Sequence, residues 1–144
     1  MNLENLLERG LKRHQPSRVE IQRLLEAAAR ALADARREIN SPDTRFDCAY
    51  KVVMQCALAA MKANGFRPET RPGHHMLLVQ CLPRTLGIEP ARMLALDKLR
   101  EKRNLADYEG DPIDDVSAAA CVDHAARLLD DVAAWLAAHR KDLA

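Results

Sequence analysis

Arg103, Asn104 and Tyr108 stand close together in the stretch LREKRNLADYEGD, residues 99 to 111. A guanidinium can clamp a phosphate through two charge-assisted hydrogen bonds. An amide beside a phenol can hold a ribose or a water. On a helix Arg103 continues the face of Leu96 and Leu99, and a charge there is either snorkelling, paired or set in a shared groove. Asp107 lies four residues on, so an ion pair worth about 0.2–0.5 kcal/mol is the plain alternative. That pair leaves Asn104 and Tyr108 unexplained. They share a neighbouring face at i, i+4 and form either a hydrogen-bonded polar site or a contact that pins the core.

His74 and His75 are the second set. They open a helix just after Gly73, where amides and the helix dipole favour an anion. The alternative is one capping and one packing histidine. Adjacent side chains diverge by about 100° on a helix, and no carboxylate or cysteine lies at ligand spacing, so no metal site is expected. Arg67, Arg71, Arg100, Lys102 and Arg103 make a candidate basic patch, diluted by Glu69, Glu101, Asp107 and Glu109. No aromatic platform for stacked bases is evident. His14, His124 and His139 read as surface or helix-face residues.

The elements that must position these groups are helices. Leu3, Leu6, Leu7 and Leu11 predict a short first helix ending near Arg13. Ser17 and Glu20 form a capping box ahead of a stripe through Ile21, Leu24, Leu25, Ala28, Leu32 and Ala35. Ser41 and Pro42 start a helix over 43–64 that is apolar almost all round, and so the most buried. FRPETRPG is a loop. HHMLLVQCL is a shorter helix disturbed at Pro83. Pro90 opens a helix to about 108, which Gly110 and Pro112 end. The last helix runs from about Asp114 to His139, with Val122, Ala126, Leu129, Val132, Ala133 and Leu136 on its buried face.

The expected fold is all-α: one domain over 1–144, an up-and-down four- to five-helix bundle with short extra helices. Its 144 residues, 48% hydrophobic and only 3% aromatic, suit that reading. A net charge of +1 excludes a globally basic nucleic-acid binder. Cys48, Cys56, Cys81 and Cys121 lack paired spacing and are expected to be reduced thiols of a cytoplasmic protein. The charged opening residues do not read as a signal peptide, and no membrane span is expected.

The order of RNLADY, the GFRP and GHH elements and a long final helix resembles the HEPN domain family over roughly residues 17–139. The family motif is an arginine, a polar residue, then a histidine four to six positions further on. Arg103 and Asn104 match it; Tyr108 stands where the histidine would be. The resemblance implies a homodimer whose motif helices meet in a groove, RNA as ligand, and a metal-independent endoribonuclease without cofactors. It also implies a toxin or phage-defence role, with a nucleotidyltransferase antitoxin as partner that would modify a tyrosine near the motif. Arg103, Asn104 and Tyr108 would be catalytic. His74, His75, Arg100 and Lys102 would bind RNA or another anion. With an ordinary pKa near 10, a tyrosine is a poor proton acceptor. Two alternatives follow: a non-catalytic module that docks a nucleotidyltransferase or other protein, and a bundle with no site at all.

Overall fold

Serine caps and proline starts place the main helices of the computed structural model, which describes residues 2–144. The Ser17 side chain accepts from the Glu20 amide and opens α1, Arg18–Ala35. Ser41 accepts from the Thr44 amide and Pro42 takes the first turn of α2, Pro42–Ala63. After Gly73, α3 (His74–Gln80) and α4 (Leu82–Thr85) are two short helices divided ahead of Pro83. Pro90 starts α5, Pro90–Glu109, which ends on Gly110 in the left-handed conformation. Asp114 caps α6, Asp115–His139. The fold is an all-α helical bundle of four long helices with two short ones.

α2 is the central helix. Phe46, Ala49, Val52, Val53, Cys56, Ala59, Ala60 and Met61 are all fully or almost fully buried along it. It packs on α1 and α6, and more lightly on α3 and α5. α5 is the opposite case, for Leu96 is its one buried residue. On α6 the buried stripe runs through Ala118, Cys121, Ala125, Leu128, Val132 and Leu136. Ala133, expected on that stripe, is exposed.

Three local expectations fail in whole or in part. The leucines before Arg13 do not form an α-helix. Leu3–Leu6 is a single 3-10 turn, and Leu11–Arg13 is strand β1. Gly10 breaks the helix with a φ of 126°, and a Cβ there would meet Leu77 Cδ2 at 2.8 Å. The second strand, β2 (Phe66–Pro68), forms from part of the stretch read as loop. It pairs antiparallel with β1, Leu11 opposite Pro68 and Arg13 opposite Phe66. The capping box is also only half made. Glu20 turns away from Ser17 and binds His14 Nε2 and Lys62 Nζ, each at 2.7 Å.

Candidate functional site

The side of α2 that faces α3 and α5 carries Asp47, Lys51 and Gln55 at four-residue intervals, with Tyr50, Met54 and Leu58 between and beyond them. Together with α3, the Pro68–Thr70 rim and Arg103 of α5, they line a cavity of about 510 Å³. β1 fixes that rim, because the Glu69 amide donates to the Gly10 carbonyl at 2.7 Å.

Arg103 reaches this cavity from the far side. Its guanidinium carbon lies 4.7 Å from the centre of the Tyr50 ring, a cation–π contact. Its Nε is 3.6 Å from Asp107, too long for a hydrogen bond. That Nε is buried with no hydrogen-bond partner among the described residues, and so is Gln55 Oε1. An orphan donor and an orphan acceptor therefore belong to two residues lining one cavity. Each carries the desolvation penalty of an unmade bond, about 1–3 kcal/mol.

The two histidines complete the cluster. Tyr50 Oη and His75 Nδ1 lie 3.3 Å apart. Burial, then the neighbouring His74, Arg103 and Arg100, push the His75 pKa down, so its ring is neutral at neutral pH. His74 Nδ1 is 3.0 Å from the Arg71 carbonyl. A carbonyl only accepts, so Nδ1 must carry the proton and Nε2 of the neutral ring keeps its lone pair. The two rings touch edge to face, with centroids 4.5 Å apart. Burial raises the Tyr50 hydroxyl pKa against the pull of Arg103. Burial, and then Asp107, raise the Asp47 carboxyl.

The structure divides the residues singled out in the sequence. Arg103, His74 and His75 line the cavity. Asn104 and Tyr108 lie together in a shallow hollow on another side of α5, with Glu101, Leu105 and Glu109. Tyr108 is 85% exposed, so it neither pins the core nor reaches the arginine's cavity. The basic patch is broken up by acids. Arg100 Nε binds Asp97 at 2.8 Å, Lys102 lies 3.5 Å from Asp114, and Arg71 pairs with Glu69. Arg67 is exposed on β2.

Tyr50, Asp47, Lys51 and Gln55 did not stand out in the sequence as site residues. The available signal was the polar residue every fourth position in an otherwise apolar helix. Among the described residues, no cluster of three or more His, Cys, Asp or Glu has the geometry to hold a metal ion. The four cysteines are free. Burial pushes the Cys56 and Cys121 thiols up to about 12, which keeps them unreactive. No described helix is long and apolar enough to cross a membrane.

In comparisons with known proteins, no family model, no curated protein and no solved structure matches the chain. The chemistry of the cavity must therefore carry the functional reading.

Proposed function

We propose that the chain is a HEPN-like protein that binds or cleaves RNA, with the cavity between α2, α3 and Arg103 as the phosphodiester site. The observation that carries this is the pair of unpaired buried polar atoms, Arg103 Nε and Gln55 Oε1, on two residues that line one cavity with His74 and His75. Arg103 supplies the fork for a phosphate, already oriented by the Tyr50 ring. His74 supplies the proton acceptor that Tyr108 cannot, through the Nε2 lone pair that the Arg71 carbonyl leaves free. For cleavage, Nε2 takes the proton of a 2′-hydroxyl. The 2′ oxygen forms a bond to phosphorus, the bond to the 5′ oxygen breaks, and that oxygen takes a proton from water. Gln55 offers an acceptor to a ribose hydroxyl or base amine.

The proposal includes a homodimer, on a different face from the one the sequence suggests. Leu96 and Leu99 pack into their own protomer. Ala91, Leu94, Lys98, Glu101, Leu105 and Tyr108 recur at alternating three- and four-residue steps, and all are exposed. An antiparallel copy of α5 sets Leu94 against Leu105, Lys98 against Glu101 and Ala91 against Tyr108, twice over. A parallel copy would set like charges together. The seam lies opposite Arg103 on the helix, so each protomer keeps its own cavity and the two do not merge into a groove.

A second reading is a non-catalytic module that docks a nucleotidyltransferase or another protein. The exposure of Leu94, Leu105 and Tyr108 favours it, because that same face suits a foreign helix. Incubation with single-stranded RNA separates the two. Binding or cleavage that Arg103→Ala and His74→Ala each remove supports the first reading. RNA that is neither retained nor cut by the wild type removes it.

A further inference from the structure

A second cavity, of about 470 Å³, opens at the other end of α5, between its first turn, the Leu86–Glu89 connection and the last turns of α6. It shares no lining residue with the Arg103 cavity. Arg92 enters it from α5 and Arg127 from α6. Arg92 Nη1 donates to Asp131, which fixes the guanidinium, but its Nε and Nη2 are buried with no acceptor among the described residues. Arg127 is exposed and makes no hydrogen bond or ion pair among the described residues. The nearby His124 registers both cations, since burial first, then Arg92 and Arg127, lower its pKa.

The same cavity is lined by a stacked aromatic pair. Trp135 and His139, one turn apart on α6, stack with centroids 5.0 Å apart and planes inclined by 21°. His139 Nδ1 meets the Trp135 carbonyl at 3.1 Å, which holds the imidazole against the indole. The stack leaves outer ring faces for a further planar group, and the chain's one tryptophan did not stand out in the sequence. Leu86 and Ile88 form an apolar wall. Glu89 also lines the cavity, and its carboxylate makes no cap bond to α5.

These parts answer one ligand chemistry. Unpaired guanidinium donors want an oxyanion, and an arginine fork matches a phosphate in two bonds. A stacked Trp–His pair takes a planar ring of any identity. A free carboxylate accepts from hydroxyl groups, as acids do for ribose in other nucleotide sites. The volume lies in the range of small-molecule pockets. We infer that this cavity is a nucleotide site: the base on Trp135 and His139, the phosphate on Arg127 and Arg92, and the ribose hydroxyls on Glu89. The nucleotide is either free or the terminal one of an RNA strand. The inference stands apart from the Arg103 reading, since neither cavity depends on the other.

The position of Trp135 supplies the probe. Adenosine and guanosine monophosphate, a short oligoribonucleotide ending in a phosphate, adenosine, and inorganic phosphate are titrated while Trp135 fluorescence is followed. The expected result is saturable quenching by a nucleotide, at least tenfold weaker for adenosine. Arg127→Ala, an exposed change that spares the fold, should weaken it at least tenfold. Tighter binding of the oligonucleotide assigns the strand end, and tighter binding of the monophosphate assigns the free nucleotide. The inference is overturned by no quenching with any nucleotide at millimolar concentration. It is equally overturned by quenching that inorganic phosphate matches, or that Arg127→Ala leaves intact.

Discussion

α5 shows two faces that were written by the same twenty residues and have opposite fates. One face is turned to α2 and α3: Leu96 is fully buried, Arg100 is tied to Asp97, and Arg103 lies over Tyr50. The other carries Leu94, Leu105 and Tyr108 in the open, 56%, 52% and 85% exposed. The difference teaches that neighbours in sequence are not neighbours in a site. Arg103 and Asn104 diverge by about 100° on a helix, and Arg103 and Tyr108 by about 140°. A motif written as arginine, polar residue and aromatic is thereby split between a lined cavity and an open face.

The sharpest way to test the contrast is to truncate a leucine on each face. Leu96→Ala removes the one fully buried side chain of α5 and should cost about 2–5 kcal/mol. Leu105→Ala should stay within about 0.5 kcal/mol in the monomer. Urea unfolding of both variants measures this, and equal losses would mean that the faces are not what they look like. Next in size is the effect of charge on the seam. Lys98→Glu should dissociate a dimer by setting two carboxylates against Glu101 of the partner, and the double change with Glu101→Lys should restore it. Sedimentation equilibrium reads the outcome, and a wild type that stays at 16.1 kDa at high concentration removes the seam from the account.

A smaller effect belongs to Arg103. Arg103→Ala loses the contact with Tyr50 but also frees the chain of a buried unpaired Nε, so the net cost should be about 1 kcal/mol or less. Its effect on RNA should be far larger, and thermal melting beside an RNA-binding assay compares the two. Tyr108→Phe should change neither, because the phenol is exposed and outside the cavity.

Acid gives the last test. His75 has a folded pKa below its unfolded value near 6.5. The unfolded chain therefore binds the proton first as pH falls. The stability His75 contributes is complete above about 6.5 and declines below it, down to the folded pKa. His75→Gln should flatten that part of the stability–pH curve. An unchanged slope would show that the ring is not held neutral by its surroundings.

Local rules made most of the helical fold legible. Ser17, Ser41, Pro42, Pro90, Gly110 and Asp114 act within one turn of their own positions, so their neighbours suffice to read them. The segment before α1 is different. Its leucines have helical spacing, and what overrides it is Gly10 together with pairing to residues 66–68, far along the chain. The candidate cavity was legible only in part. Arg103 and the histidines are conspicuous by type, whereas Tyr50 and Gln55 sit in a helix so apolar that their shared face vanishes into the core pattern. The Glu20 carboxylate shows the limit of a local motif: Lys62, brought near by the α1–α2 packing, outcompetes the cap it would have closed.

The short β1–β2 ribbon has a kinetic consequence. Pairing Leu11 with Pro68 closes a loop that encloses both α1 and α2. Its closure entropy must be met before the pairing gives anything back, while the α1–α2 hairpin forms from nearby residues. The rim at Glu69 should therefore assemble late in folding and open early in native fluctuations. In hydrogen exchange the Glu69 amide should lose protection well before the amides in the middle of α2. The wall of the Arg103 cavity would then be its breathing edge, a way in for a ligand too long to enter end-on.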